Sequence, residues 1–209
     1  MVNNKEVDVF NEEELEEIRS SINTELSKRE TIEWDDSTMG KTHEENVIRI
    51  KRKHLGRLEI NNLPLSATLR EKVWWLAQKM YQLEGSYAKN ISGITYVEYN
   101  PIYGTPELNV HKDSGTCGLI LDYQLESNTS WDFGVNESLY ELKDNQILAM
   151  YPLTDYHWRP KKNWNDGEFV KLIFFEFLTP GVQKIEDEEK KNSIVKFVES
   201  LDQGDKNVL

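Results

Sequence analysis

The sequence predicts a mainly β fold of sandwich or jelly-roll type with flanking α-helices, and three observations carry that expectation. Between Ser92 and Thr179, short runs rich in Ile, Val, Tyr, Phe, Leu and Trp alternate with Pro, Gly, Asn and Asp, the texture of many short strands joined by turns. Upstream, two segments repeat apolar residues at three- and four-residue steps, the period of an amphipathic helix. A third such segment follows Pro180 and Gly181. At 209 residues the chain suits one core with helical extensions, so a single domain is expected. Its parts would be an N-terminal helix-and-loop support region over 1–90, a β core over 91–180, and a C-terminal helix and tail over 181–209.

From Asn11 to Arg29, Leu15, Ile18, Ile22 and Leu26 form one stripe, and Asn11 followed by Glu14 reads as a capping box. Residues 31–46 are polar and aperiodic and read as loop. A second helix begins after Pro64 with Ser66 as its cap, and Leu69, Val73, Trp74, Leu76, Ala77, Met80 and Tyr81 give it a broad apolar face suited to covering a sheet. Gly85 closes it. Strands are expected at 93–99, 107–112, 117–125, 131–134, 139–142, 146–151, 154–158 and 168–178. The tail reads as a charged helix with Ile194, Val195, Val198 and Leu201 on one side.

The charge balance, 25 basic against 37 acidic residues for a net −12, repels phosphate backbones and anionic bilayers, which argues against nucleic-acid and membrane partners. One stretch runs the other way. "IRIKRKHLGR", from Ile48 to Arg57, gathers Lys51, Arg52, Lys53, His54 and Arg57, for which a solvated loop or strand face is the plainer account. The single cysteine, Cys117, allows neither an intrachain disulfide nor a Cys-based zinc site and suits a reducing compartment. The start "MVNNKEVDVFNEEELEE" lacks the basic start and apolar core of a signal peptide, and no apolar run approaches membrane-spanning length, so a cytoplasmic protein is expected. The acidic terminal helices leave a homodimer open.

Chemistry concentrates in "ELNVHKDSGTCGLILDYQL". Strand side chains alternate, so His111 and Asp113 share a face and Lys112 takes the other. Of the four histidines, His43 and His54 lie in the polar N-terminal region, whereas His157 ends a strand-like run in "AMYPLTDYHWRP", 46 residues after His111. That is enough chain for a barrel to go round and bring a late strand beside an early one. Two neutral imidazoles and a carboxylate make a facial triad suited to Fe(II), with positions left for a bidentate co-substrate and oxygen. A hydrolytic zinc site could use similar ligands, so residue types alone leave the metal open.

With these residues stand "GLILDYQL", "SWDFG", "LKDNQILAMYP", "YHWRP" and "EFVKLIFFEF". On them, residues 94–178 resemble the 2-oxoglutarate and Fe(II)-dependent oxygenase superfamily, most nearly its prolyl-hydroxylase-like branch. The resemblance implies a double-stranded β-helix core (jelly roll, cupin-like), with His111, Asp113 and His157 as catalytic iron ligands and Fe(II), 2-oxoglutarate and O2 as participants. It also implies a cation for the distal carboxylate of 2-oxoglutarate on the strand after the second histidine. Lys171, in phase with Ile173, Phe175 and Phe177, is the first match, and Arg159, on the face of His157, the second. Tyr123 is the first choice for a tyrosine joining that cation, with Tyr99 and Tyr103 as alternatives. The implied reaction is hydroxylation of a peptide or protein side chain, an amino acid or another small molecule, with succinate and CO2 as co-products. Two other classes stay open at this level: a non-catalytic jelly-roll binding module, and a cupin-like metalloenzyme that does not use 2-oxoglutarate.

Overall fold

Side-chain alternation along a few long strands sorts the molecule into an inner and an outer face. The computed structural model of the chain describes residues 5–34, 47–53, 55–81, 91–113, 117–178 and 184–204. In chain order the elements are β1 (Lys5–Val7), α1 (Glu12–Lys28), β2 (Glu30–Glu33), β3 (Val47–Lys51), β4 (Arg57–Ile60), α2 (Ala67–Tyr81) and β5 (Ile91–Tyr99). A 3-10 turn at Pro101–Tyr103 precedes β6 (Cys117–Ser127), β7 (Phe133–Val135), β8 (Ser138–Tyr140), β9 (Gln146–Met150), β10 (His157–Trp158), β11 (Val170–Leu178) and α3 (Glu188–Gly204). The large sheet runs β1-β9-β6-β11-β5-β4-β3-β2 and the small one β10-β7-β8. The fold is mainly β with flanking helices, a jelly roll of two facing sheets. No described helix is long and apolar enough to cross a membrane.

Two cores hold it. On the outer face of the large sheet, Leu119, Leu121 and Tyr123 of β6 and Ile173, Phe175 and Phe177 of β11 pack under Ile18 and Ile22 of α1 and Leu69 and Val73 of α2. On the inner face, Ile120, Leu148 and Met150 meet Phe133 and Val135 of the small sheet. Each large apolar side chain removed from water contributes about 1.5–3 kcal/mol, so these two layers dominate the folding energy. Helix α3 seals the far side, with Ile194 on Tyr156 and Trp158. The helix starts are capped as the sequence reads: Glu14 N donates to Asn11 Oδ1 at 2.9 Å and Asn11 N to Glu14 Oε2 at 2.8 Å, while Leu69 N donates to Ser66 Oγ at 3.3 Å.

Two differences from the sequence expectation matter. The N-terminal region is more than helix and loop, because β1 extends one edge of the large sheet and β2, β3 and β4 extend the other. The expected strand at 107–112 reduces to a single bridge, His111 with His157. Its partner β10 is only two residues long, bounded by the turn after Pro152 and by Pro160, which has no N–H to continue a ladder. Gly85, Pro180 and Gly181, and the remaining histidines His43 and His54, lie outside the described residues.

Gly134 of β7 shows how tightly the small sheet is built beside His157. A Cβ there would lie 2.2 Å from Cε2 of the Trp158 indole, whose Nε1 donates to Asn136 O at 3.0 Å. Gly134→Ala therefore displaces Trp158 and should lower stability by about 1–3 kcal/mol in urea unfolding at unchanged m-value; an unchanged midpoint would show that Trp158 has room to move.

Candidate metal centre

The His111–His157 bridge is the local device that makes the site. His111 N donates to His157 O at 3.1 Å and His157 N to His111 O at 2.9 Å, while Asp113 N donates to Pro152 O at 2.9 Å. These bonds set the two imidazoles side by side, ring centroids 4.2 Å apart and planes tilted by 54°. Asp113 Oδ1 lies 3.5 Å from His111 Nε2 and 3.4 Å from His157 Nε2, and one ligand atom from each residue falls within 4.8 Å of the others.

Protonation follows from the backbone. His111 Nδ1 donates to Asn109 O at 2.7 Å and His157 Nδ1 to Asp155 O at 3.3 Å, which fixes the proton of each neutral ring on Nδ1 and turns the Nε2 lone pair toward Asp113. Two lone pairs facing a carboxylate at this range repel unless positive charge sits among them. Burial pushes the Asp113 carboxyl up, whereas imidazoles protonated on Nε2 as well would hydrogen-bond to it and hold it well below the usual range, the same demand for positive charge at this point. The donor set fits a divalent cation that takes imidazole and carboxylate together, as Fe(II) does.

The triad opens on a cavity of about 440 Å³ between the sheets, walled by Leu108, Ile120, Phe133 and Met150 and by polar groups of β3, β4 and β5. The structure divides the remaining sequence-expected residues sharply. Lys171 is not in this cavity: on β11 it shares the helix-facing side with Ile173, Phe175 and Phe177 and pairs with Glu126 at 2.9 Å. Tyr123 is also on the helix side, its ring edge-on to Phe10 with centroids 5.0 Å apart and its hydroxyl donating to Asn145 Oδ1 at 3.0 Å. Both placements share one cause, since Leu119, Leu121 and Tyr123 of β6 and the odd-numbered residues 171–177 of β11 look toward α1 and α2, while Ile120 and Asp122 of β6 and the even-numbered residues of β11 look inward. The inward residues of β11 are Val170, Leu172, Phe174 and Glu176, none of them a cation. Tyr103 packs against the helix-side core.

Tyr99 lines the cavity, whereas Arg159 is not among its lining residues and lies behind them, against Trp131 and the cavity-lining Phe133. Arg159 is buried, its guanidinium 4.9 Å and 5.0 Å from the ring centroids of Trp131 and Phe133, and its Nη1 donates to Trp131 O at 2.5 Å. Its Nη2 is 3.9 Å from Asp122 Oδ2, too far for a hydrogen bond, and its Nε and Nη2 and Asp122 Oδ1 have no partner. Burial, partly offset by Arg159 and Arg57, pushes the Asp122 carboxyl up to about 6. Asp122 lines the cavity and Arg159 lies next to it, and their orphaned polar atoms are unused hydrogen-bonding capacity. Tyr99 accepts from Arg57 Nη1 at 2.5 Å and stands edge-on to Trp131.

The inward side of β3 and β4 is the part that sequence reading missed. Arg49 and Lys51 face inward opposite Glu59 and Arg57, and Glu59 receives Arg57 Nε at 2.6 Å, Arg57 Nη2, and Lys51 Nζ at 2.8 Å. The signal was period-two alternation of charge with Ile and Leu in "VIRIK" and "RLEI". Glu176, assigned no role from sequence, also lines the cavity, where Thr95 Oγ1 donates to it at 3.1 Å.

No family model and no curated protein matches the chain. Solved structures do match in shape. A prolyl hydroxylase from Trichoplax adhaerens, determined with a hypoxia inducible factor oxygen degradation domain peptide fragment, is 12% identical with a TM-score of 0.51, covering 91% of this chain and 86% of its own. A Pseudomonas putida prolyl-4-hydroxylase is 8% identical with a TM-score of 0.55, covering 86% of this chain and 93% of its own. At these identities the likeness is one of fold.

The charge cluster gives a prediction about acid stability. Burial raises the Glu59 carboxyl, but Arg57 and Lys51 lower it further, to about 2 against an ordinary 4.5. A depressed carboxylate stabilises the fold above the unfolded value and loses that contribution as pH falls from about 4.5 through about 2. Glu59→Gln should cost roughly 2–4 kcal/mol near neutral pH and flatten that acid limb in denaturation curves, whereas an unaltered limb would show the cluster contributes nothing net.

Proposed function

We propose that the protein is an Fe(II)- and 2-oxoglutarate-dependent oxygenase that hydroxylates a C–H bond of a peptide side chain or amino acid. One observation carries it: His111, Asp113 and His157 converge inside a jelly roll with both Nδ1 atoms taken by backbone carbonyls and both Nε2 lone pairs aimed at the same point. Fe(II) held there would supply oxidation of the substrate C–H by O2, with 2-oxoglutarate giving up two electrons and leaving as succinate and CO2.

The chain's own residues do the rest. The backbone carbonyls of Asn109 and Asp155 keep both rings in the ligating tautomer. In this reading Arg159 receives the distal carboxylate of 2-oxoglutarate through its orphaned Nε and Nη2, in place of Lys171. Asp122 beside it, with its raised pKa, can carry a proton and donate to the same carboxylate. Leu108, Ile120, Phe133 and Met150 exclude water from the reacting space. A peptide or protein substrate is supported by the Trichoplax neighbour, which was solved with a peptide.

The test is anaerobic titration of Fe(II) and 2-oxoglutarate, following the visible charge-transfer band of the chelated complex. The band should form in the wild type and vanish in His111→Ala. Metal binding without the band favours a cupin-like metalloenzyme, and no metal binding favours a non-catalytic module. In the same titration Arg159→Gln should weaken 2-oxoglutarate about 10–100-fold, the loss of charge-assisted hydrogen bonds, while Lys171→Gln leaves it unchanged. The opposite pattern would return the anchor to Lys171.

A further inference from the structure

The two segments that carry the metal ligands have an outer side as well as an inner one. His111, Asp113 and His157 line the cavity, and the residues alternating with them, Val110, Lys112, Tyr156 and Trp158, turn away from it. Lys112 is the odd member of that outer set. It stands between two ligands and is 7% exposed, whereas His111 and Asp113 on either side are only half-buried.

Burying an ammonium is costly, so its surroundings matter. Lys112 Nζ donates to Ile185 O at 2.6 Å and stands 4.3 Å from the ring centroid of Tyr156. Both contacts lead to the same stretch of chain. Residues 184–187, which run into α3, lie across the two ligand-bearing segments: Lys184 Nζ donates to Lys112 O at 3.0 Å, while the Tyr156 hydroxyl donates to Asp187 O at 2.9 Å and accepts from Asp187 N at 3.1 Å. Helix α3 continues the contact. Ile194 packs on Tyr156 and Trp158, Phe197 stands edge-on to Trp158 with centroids 6.1 Å apart, and Val110 joins the same apolar cluster. Each of the four outward residues is therefore held by the C-terminal segment. An apolar side chain of similar size at position 112 would fill the space with no charge to desolvate, but it could not tie Ile185 O.

Building on the metal-centre reading, we infer that Lys112 is a positioning residue of the metal centre, pinning residues 184–187 across the ligand segments and so fixing the spacing of His111, Asp113 and His157. Its backbone joins His111 directly to Asp113, so a rotation of this segment moves both ligands at once. Tyr156, tied to Asp187, holds His157 on the other side of the bridge. Donors whose spacing is set in advance bind a cation more tightly, because less order is lost when it arrives.

The test is titration of the metal-free protein with Mn(II), followed by the electron paramagnetic resonance of the free ion, together with the visible ligand-field spectrum of the Co(II)-loaded protein. Lys112→Met keeps the length of the side chain and removes its charge. It should weaken Mn(II) binding about 10-fold and shift the Co(II) bands, with the urea midpoint as the folding control. Either reading left at its wild-type value would overturn the inference, and a lowered urea midpoint with both unchanged would assign Lys112 to stability alone. If Lys112→Met does not fold, Tyr156→Phe is the second variant. It keeps the ring beside Lys112, removes the bonds to Asp187 and should show the same two changes; wild-type values there would overturn the inference equally. The two readings fail separately: a wild type that binds no Mn(II) sinks the metal centre and the positioning role with it, whereas wild-type metal binding in the variants sinks the positioning role alone.

Discussion

Two reciprocal backbone hydrogen bonds between His111 and His157 hold the site together. They form the β-bridge between the segment before β6 and the short strand β10, with Arg159 N donating to Leu108 O at 2.9 Å just beyond it, and they bring both imidazoles beside Asp113. Everything else near the centre supports that bridge. Gly134 lets Trp158 lie flat against β7, Asn136 accepts from the Trp158 indole, and α3 closes over the outside. A longer ladder would hold the segments together more strongly. The short pairing leaves Asn109 O and Asp155 O free of strand pairing, and those carbonyls set the histidine tautomers.

The inner and outer faces of the large sheet answer to different physics. The outer face is apolar, covered by α1 and α2, and a lone Lys171 at its margin is satisfied by Glu126 at the surface. The inner face carries the buried charges of the described sheet: Arg57 with Glu59 and Lys51, and Asp122 near Arg159. Burying these groups is costly, and the orphaned atoms of Arg159 and Asp122 show that the cost is only partly recovered inside the protein.

Much of this was legible in the sequence. The capping box at Asn11, the apolar stripes of α1 and α2 and the strand texture after Ser92 led to the mainly β fold with its flanking helices. The order and spacing of His111, Asp113 and His157 point to a metal centre from the residues alone. Period-two alternation also held the information that was misjudged. Lys171 keeps step with Ile173, Phe175 and Phe177, but a strand buried on both sides does not announce which of its faces meets the helices. The same ambiguity misplaced Tyr123 on β6. Strands β1 to β4 were missed because three to five residues carry too little periodicity to stand out from loop, and because the basic run from Arg49 to Arg57 looked solvated.

Which face carries the chemistry is the central claim, and a crystal structure of the protein with Mn(II) and 2-oxoglutarate under argon tests it most directly. The account predicts the metal on His111 Nε2, His157 Nε2 and Asp113, and the distal carboxylate of 2-oxoglutarate on the guanidinium of Arg159, with the Lys171–Glu126 pair undisturbed. Metal bound elsewhere, or a carboxylate held by Lys171 after a shift in the register of β11, would contradict it.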